Sequence, residues 1–77
     1  MYTIYGRPGC APCKAAKDLL DSTGVEFTYV DVMALPKGEL AAFLSKGFKT
    51  VPQIFWEDTL IGGLDDLRRH LTAQNRL

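Results

Sequence analysis

Tyr2-Thr3-Ile4-Tyr5-Gly6-Arg7-Pro8-Gly9-Cys10-Ala11-Pro12-Cys13-Lys14-Ala15-Ala16 is the stretch that decides the fold. Its first four residues are β-branched or aromatic and stop at Gly6, which predicts a short strand. A loop broken by Pro8 follows, up to Gly9. From Ala11 to about Thr23, Ala16, Leu19, Leu20 and Thr23 share one helical face, with Pro12 tolerated in the first turn. Gly24 is placed to stop that helix. A strand leading into a helix that opens on Cys-x-x-Cys reads as a redox site.

Working outward, Glu26-Phe27-Thr28-Tyr29-Val30-Asp31-Val32 alternates over part of its length and predicts a second strand. Pro36 opens a helix to about Ser45 that buries Leu40, Phe43 and Leu44, with Gly47 ending it. Gln53-Ile54-Phe55-Trp56 and Thr59-Leu60-Ile61 are short strands joined by the Glu57-Asp58 turn. The last helix starts near Gly63-Leu64 and aligns Leu64, Leu67 and Leu71. Its acids, Asp65 and Asp66, precede Arg68, Arg69 and His70, an order that suits the helix dipole. The element order is βαβ-α-ββα. A right-handed crossover makes the first two strands parallel, and the hairpin makes the last two antiparallel. An α/β fold follows: a four-stranded mixed sheet, expected order 2-1-3-4, with three helices.

Composition narrows the function. At 77 residues the chain predicts a single domain, 1–77. It is 47% hydrophobic and 23% charged, a balance that argues against disorder. Nine basic residues oppose nine acidic ones, so no net field favours nucleic acid or a membrane surface. No apolar run approaches the roughly 18–20 residues that span a bilayer, and MYTIYGRPGC does not read as a signal peptide. The expected setting is cytoplasmic.

Cys10 and Cys13 are the only cysteines. One bridge closing four residues adds little chain entropy, so a disulfide-stapled secreted scaffold is excluded. His70 is the only histidine, so a four-ligand Cys/His zinc site within one chain is excluded; only a dimer pooling two pairs would supply one. At the start of a helix, free N–H groups and the positive dipole end favour a thiolate at Cys10 and lower its pKa. Arg7, Lys14 and Lys17, the only charged residues up to position 17, act in the same direction. Cys13 lies a turn deeper. The assignment is Cys10 as attacking and Cys13 as resolving sulfur.

Cys10-Ala11-Pro12-Cys13, Thr50-Val51-Pro52-Gln53-Ile54-Phe55 and Ile61-Gly62-Gly63-Leu64-Asp65-Asp66-Leu67 together resemble glutaredoxins of the short bacterial or viral kind, over essentially the whole chain. The resemblance implies a thioredoxin-like fold and glutathione-dependent thiol–disulfide exchange through a Cys10–Cys13 disulfide. One feature departs from it: dithiol glutaredoxins commonly carry Pro-Tyr between the cysteines, whereas Ala11-Pro12 puts proline before the second cysteine, as in thioredoxins.

The resemblance also implies a glutathione site. Thr50-Val51-Pro52 resembles the family's cis-proline turn, which leaves the Val51 backbone free to pair with a peptide. A trans proline opening an edge strand is the alternative. Gly62-Gly63 lets the backbone approach a ligand, and the helix start at Leu64 and Asp65 matches the holder of the γ-glutamyl carboxylate. Simple helix capping by Asp65 and Asp66 is compatible with that. Arg7 matches a position facing the glycine carboxylate, and Lys49 is a second cationic candidate. Tyr5 and Trp56 are strand aromatics and are given no role; His70 reads as a surface or helix-end residue.

The expected function is reduction of glutathione mixed disulfides and protein disulfides by a monomer, with glutathione as co-substrate, no permanently bound cofactor and no metal. A redoxin reduced by thioredoxin reductase and serving ribonucleotide reductase is a second reading; the Gly-Gly-Leu-Asp-Asp segment argues against it. A [2Fe–2S] carrier, with two subunits ligating through Cys10 and glutathione thiols, is a third, disfavoured by Pro12.

Overall fold

A computed structural model describes residues 1–48 and 50–75. The elements follow in the order β1 (Tyr2–Gly6), α1 (Ala11–Thr23), β2 (Phe27–Asp31), a 3₁₀ turn (Val32–Ala34), α2 (Lys37–Ser45), β3 (Gln53–Trp56), β4 (Thr59–Gly62) and α3 (Leu64–Ala73). The sheet has the expected order β2-β1-β3-β4. β1 pairs with β2 in parallel and with β3 antiparallel, and β3 pairs antiparallel with β4. Placing β1 centrally sends its C-terminal end, and the Cys10 loop after it, between β2 and β3.

Period-2 alternation divides β1 between two layers. Tyr2 and Ile4 join Ala16 and Leu20 of α1, Ile54 of β3, and Leu67 and Leu71 of α3 in one buried cluster. Tyr5 points the other way and packs tilted on Phe43 and edge-to-face on Phe55, with ring centroids 5.3 and 5.7 Å apart. Phe48 completes that second layer, 5.1 Å from Phe43 and 5.9 Å from Phe55. Two helices therefore cover one face, and α2 covers the other through an aromatic contact.

Two expectations need correction. The second strand is shorter than Glu26–Val32, because Asp31 caps a 3₁₀ turn by accepting the Met33 N–H at 2.9 Å. Val32 is thereby turned into the interior. Leu44 is not core: it is 55% exposed, since α2 meets the sheet through Phe43 and only half buries Leu40. His70 is a helix-end residue, in the last turn of α3, and is half-buried, its Nε2 lying 2.9 Å from the hydroxyl of buried Tyr2. α1 does stop at Gly24, which takes the left-handed φ of +74°.

Candidate functional site

Cys10 is the N-cap of α1, with Pro12 in the first turn and no acidic residue there. The Cys13 backbone N–H donates to Cys10 Sγ at 3.2 Å. One of the unpaired donors at the helix start is thus spent on the sulfur, which favours negative charge on it. The two cysteines form a disulfide with Cα atoms 5.2 Å apart. They differ in access: Cys10 is half-buried, whereas Cys13 is wholly buried. An incoming sulfur meets Cys10 first.

Two shallow hollows meet around this cap. Arg7, Gly9, Cys10, Ala11, Lys14, Lys17 and Tyr29 line one of them. Three of those side chains are cationic and none is acidic. Lys14 donates to Asp18 at 2.8 Å; that hydrogen bond, reinforced by the carboxylate's charge, holds its ammonium above the ordinary lysine value. Arg7 also borders the second hollow with Thr50 and Val51, above Leu40 and Phe43.

The Val51–Pro52 peptide bond is cis, and the Val51 carbonyl oxygen lies 3.9 Å from Cys10 Sγ. Gln53, given no role from sequence, braces this turn: its Nε2 donates to the Thr50 carbonyl oxygen at 2.9 Å. Pro52 is buried, and its carbonyl oxygen is the nearest neighbour of the space over Gly63, 3.9 Å from where a Cβ would stand. The start of α3 is thus brought beside the proline turn. Lys49 lies outside the described residues.

Gly62 also has a reason within the fold. With φ at +125°, a Cβ there would stand 2.8 Å from the Asp66 Cγ and overlap its carboxylate. The vacated space belongs to Asp66, which accepts the Gly63 N–H at 3.1 Å and pairs with Arg69. Asp66 is therefore a helix cap. Asp65 is exposed and pairs with Arg68 at 3.3 Å. Because Gly63 is capped, the free N–H groups of α3 begin at Leu64 and Asp65. Among the described residues, no group of three or more His, Cys, Asp or Glu side chains gathers in a way that would hold a metal ion.

A half-exposed, N-capping sulfur bonded to a buried one, beside a cis-proline turn, defines a thiol–disulfide oxidoreductase of the thioredoxin-like class. The chain belongs to the glutaredoxin family, whose model matches residues 2–61. A glutaredoxin of Haemophilus influenzae is 36% identical over 78 aligned positions, covering 92% of this chain and 90% of the relative. Among solved structures, a buckwheat glutaredoxin–glutathione complex superposes with a TM-score of 0.78 at 25% identity, over 99% of this chain and 71% of that one. The glutaredoxin-like NrdH-redoxin of Escherichia coli, described as having a thioredoxin-like activity profile, superposes with a TM-score of 0.73 at 28% identity, over 88% and 91%.

The cap geometry carries a prediction of its own. In the reduced protein Cys10 is expected to ionise below the ordinary cysteine value of ~8.5. Thiolate absorbance followed through a pH titration measures it, and a midpoint at or above ~8.5 would contradict the activation by the helix start.

Proposed function

We propose that this protein is a glutathione-dependent disulfide reductase acting on glutathione mixed disulfides and on protein disulfides. The difference in access between Cys10 and Cys13 carries the reading, because it supplies one attacking and one resolving sulfur. The Cys10 thiolate attacks the glutathione sulfur of a mixed disulfide. The substrate leaves as its thiolate, and a Cys10–glutathione disulfide remains. A second glutathione thiolate attacks that glutathione sulfur, returning the Cys10 thiolate and releasing oxidised glutathione. On a protein disulfide, Cys10 forms the mixed disulfide and Cys13 displaces the substrate, giving the Cys10–Cys13 bond. Two glutathiones then restore the dithiol. A negative sulfur is attacking or leaving at every stage, and the cap N–H and nearby cations favour it.

Two positive ends flanking the proline turn support glutathione as the reductant. Arg7 borders a hollow with Thr50 and Val51, and uncrowded Gly63 lies by the Pro52 carbonyl oxygen, with the free N–H groups of Leu64 and Asp65 following it. Glutathione carries a carboxylate at each end. We assign its glycine carboxylate to Arg7, its γ-glutamyl carboxylate to the α3 start, and its backbone to Val51. Arg7→Ala is expected to raise the apparent KM for glutathione about ten- to hundredfold, the size of a charge-assisted hydrogen bond. Cys10 reactivity toward a neutral disulfide should fall far less, since the cap N–H, Lys14 and Lys17 remain beside the sulfur. Asp65→Ala should act less, since the N–H groups remain. Unchanged glutathione kinetics in both variants would remove this site.

The likeness to a redoxin of thioredoxin-like profile, together with Ala11-Pro12, favours a second reading: reduction by a flavin reductase and delivery of electrons to an enzyme such as ribonucleotide reductase. That reading predicts efficient turnover with thioredoxin reductase and indifference to Arg7.

A further inference from the structure

Resolution requires the Cys13 sulfur to carry negative charge, yet Cys13 is wholly buried. Burial disfavours a thiolate unless a hydrogen bond compensates. The cap geometry serves Cys10, since the N–H of Cys13 points at the Cys10 sulfur. A separate donor is needed for Cys13.

Tyr29 supplies one. It lies on β2, paired with Ile4 of β1, and packs against the core cluster. Its phenol reaches across β1 into the space that Gly6 leaves by having no side chain. A Cβ on Gly6 would stand 2.8 Å from the Tyr29 Cζ, overlap the hydroxyl, and lie 3.1 Å from the Cys13 Cβ. The Tyr29 hydroxyl and the resolving cysteine thus border one atom-sized gap. Among the described residues that hydroxyl makes no hydrogen bond. The Lys17 ammonium of α1 sits over the ring, 5.5 Å from its centroid. A phenylalanine would fill the same apolar surface and keep the Cζ beside Gly6; what it would lose is the hydroxyl, the deepest atom in that space.

We propose that Tyr29 stabilises the Cys13 thiolate, its hydroxyl donating a hydrogen bond to that sulfur whenever the Cys10–Cys13 bond is open. The inference rests on Cys13 being the resolving thiol. Cys13 gives its proton to solvent, and its thiolate attacks Cys10 Sγ. The Cys10–Cys13 bond forms as the Cys10–substrate bond breaks, and the substrate thiolate leaves to take a proton from solvent. Tyr29 keeps its own proton. In the reverse direction a glutathione thiolate attacks Cys10 Sγ, and Cys13 departs as the thiolate that Tyr29 receives. The other charged or titratable groups lining the hollow beside Tyr29 are the N-cap Cys10, Lys14 and Lys17 of α1 and Arg7 of the preceding loop; β1 presents Ile4 and Gly6, without charge.

The test is a single-turnover measurement on the full chain, with reduced protein mixed against a peptide mixed disulfide that reports thiol release. Tyr29→Phe is expected to slow the Cys13-dependent release about tenfold at neutral pH and to move its pH midpoint upward by about one unit. Alkylation of Cys10 should be unchanged, as should glutathione mixed-disulfide turnover in a Cys13→Ser background. Gly6→Ala, which keeps the hydroxyl but displaces it, should move the midpoint in the same direction. An unmoved pH profile in both variants, or an equal change in Cys10 alkylation, overturns the proposal. Release that continues in Cys13→Ser overturns the resolving assignment itself. Arrest in Cys13→Ser with a normal Tyr29→Phe overturns only the role of Tyr29.

Discussion

Cys10→Ser is expected to abolish turnover on every disulfide substrate, by more than about a thousandfold, because a serine hydroxyl is neither ionised nor comparably nucleophilic near neutral pH. Cys13→Ser should behave differently on two substrates. Glutathione mixed disulfides need only the outer sulfur, so their turnover should persist. Protein disulfides need an internal sulfur to release the bound substrate, and their turnover should fall about tenfold or more. The physical basis is the unequal access of the two sulfurs and the N–H that Cys13 donates to Cys10 Sγ. A coupled assay on each substrate class checks both variants. An active Cys10→Ser and an inactive Cys13→Ser would reverse the assignment.

Leu67→Ala carries the largest expected loss of stability. Leu67 is wholly buried in the cluster with Ile4, Leu20 and Ile54, and it anchors α3 to the sheet. Truncating a buried leucine costs about 2–5 kcal/mol, through lost transfer energy and the cavity left behind. A domain of this size has only about 4–12 kcal/mol in all. The same change loosens the helix whose start carries Gly63, Leu64 and Asp65, so glutathione kinetics should deteriorate before the protein unfolds. Leu44→Ala is the contrast: an exposed position should shift stability by less than about 0.5 kcal/mol. Urea unfolding of the two variants measures the difference, and equal losses would contradict the packing of both helices.

That contrast marks where the sequence is legible. α1 and α3 show their buried faces in the spacing of Ala16 and Leu20 and of Leu67 and Leu71, because each packs along its length on a broad sheet face. α2 offers Leu40, Phe43 and Leu44 at the same spacing, yet meets the sheet mainly through one ring stacked on Tyr5 and Phe48. Periodicity reports an apolar face; it does not report how much of the sheet is there to receive it. The cysteine pair, the proline turn and the glycine-led helix were legible as motifs of fixed local geometry.

What sequence reasoning missed depends on pairs far apart in the chain. Tyr2 and His70 meet across 68 residues, and Tyr29 enters the gap over Gly6 only because β1 and β2 are in that register. Gly62 was legible as necessary, but the fold-back of Asp66 over it was not, since φ and that contact are set only once β4 runs into α3. Gln53 looked like any strand glutamine, and its hydrogen bond to the Thr50 carbonyl oxygen is seen only in the folded turn.

The central claim is that glutathione reduces this disulfide through a site built from Arg7, the Val51–Pro52 turn and the start of α3. Its most direct test is reduction of the oxidised protein, followed in parallel with glutathione and with thioredoxin reductase plus NADPH as electron donors. Rapid reduction by glutathione, slowed by Arg7→Ala and weak with the reductase, is the predicted result. Efficient reduction by the reductase, with glutathione slow and insensitive to Arg7, would contradict the account.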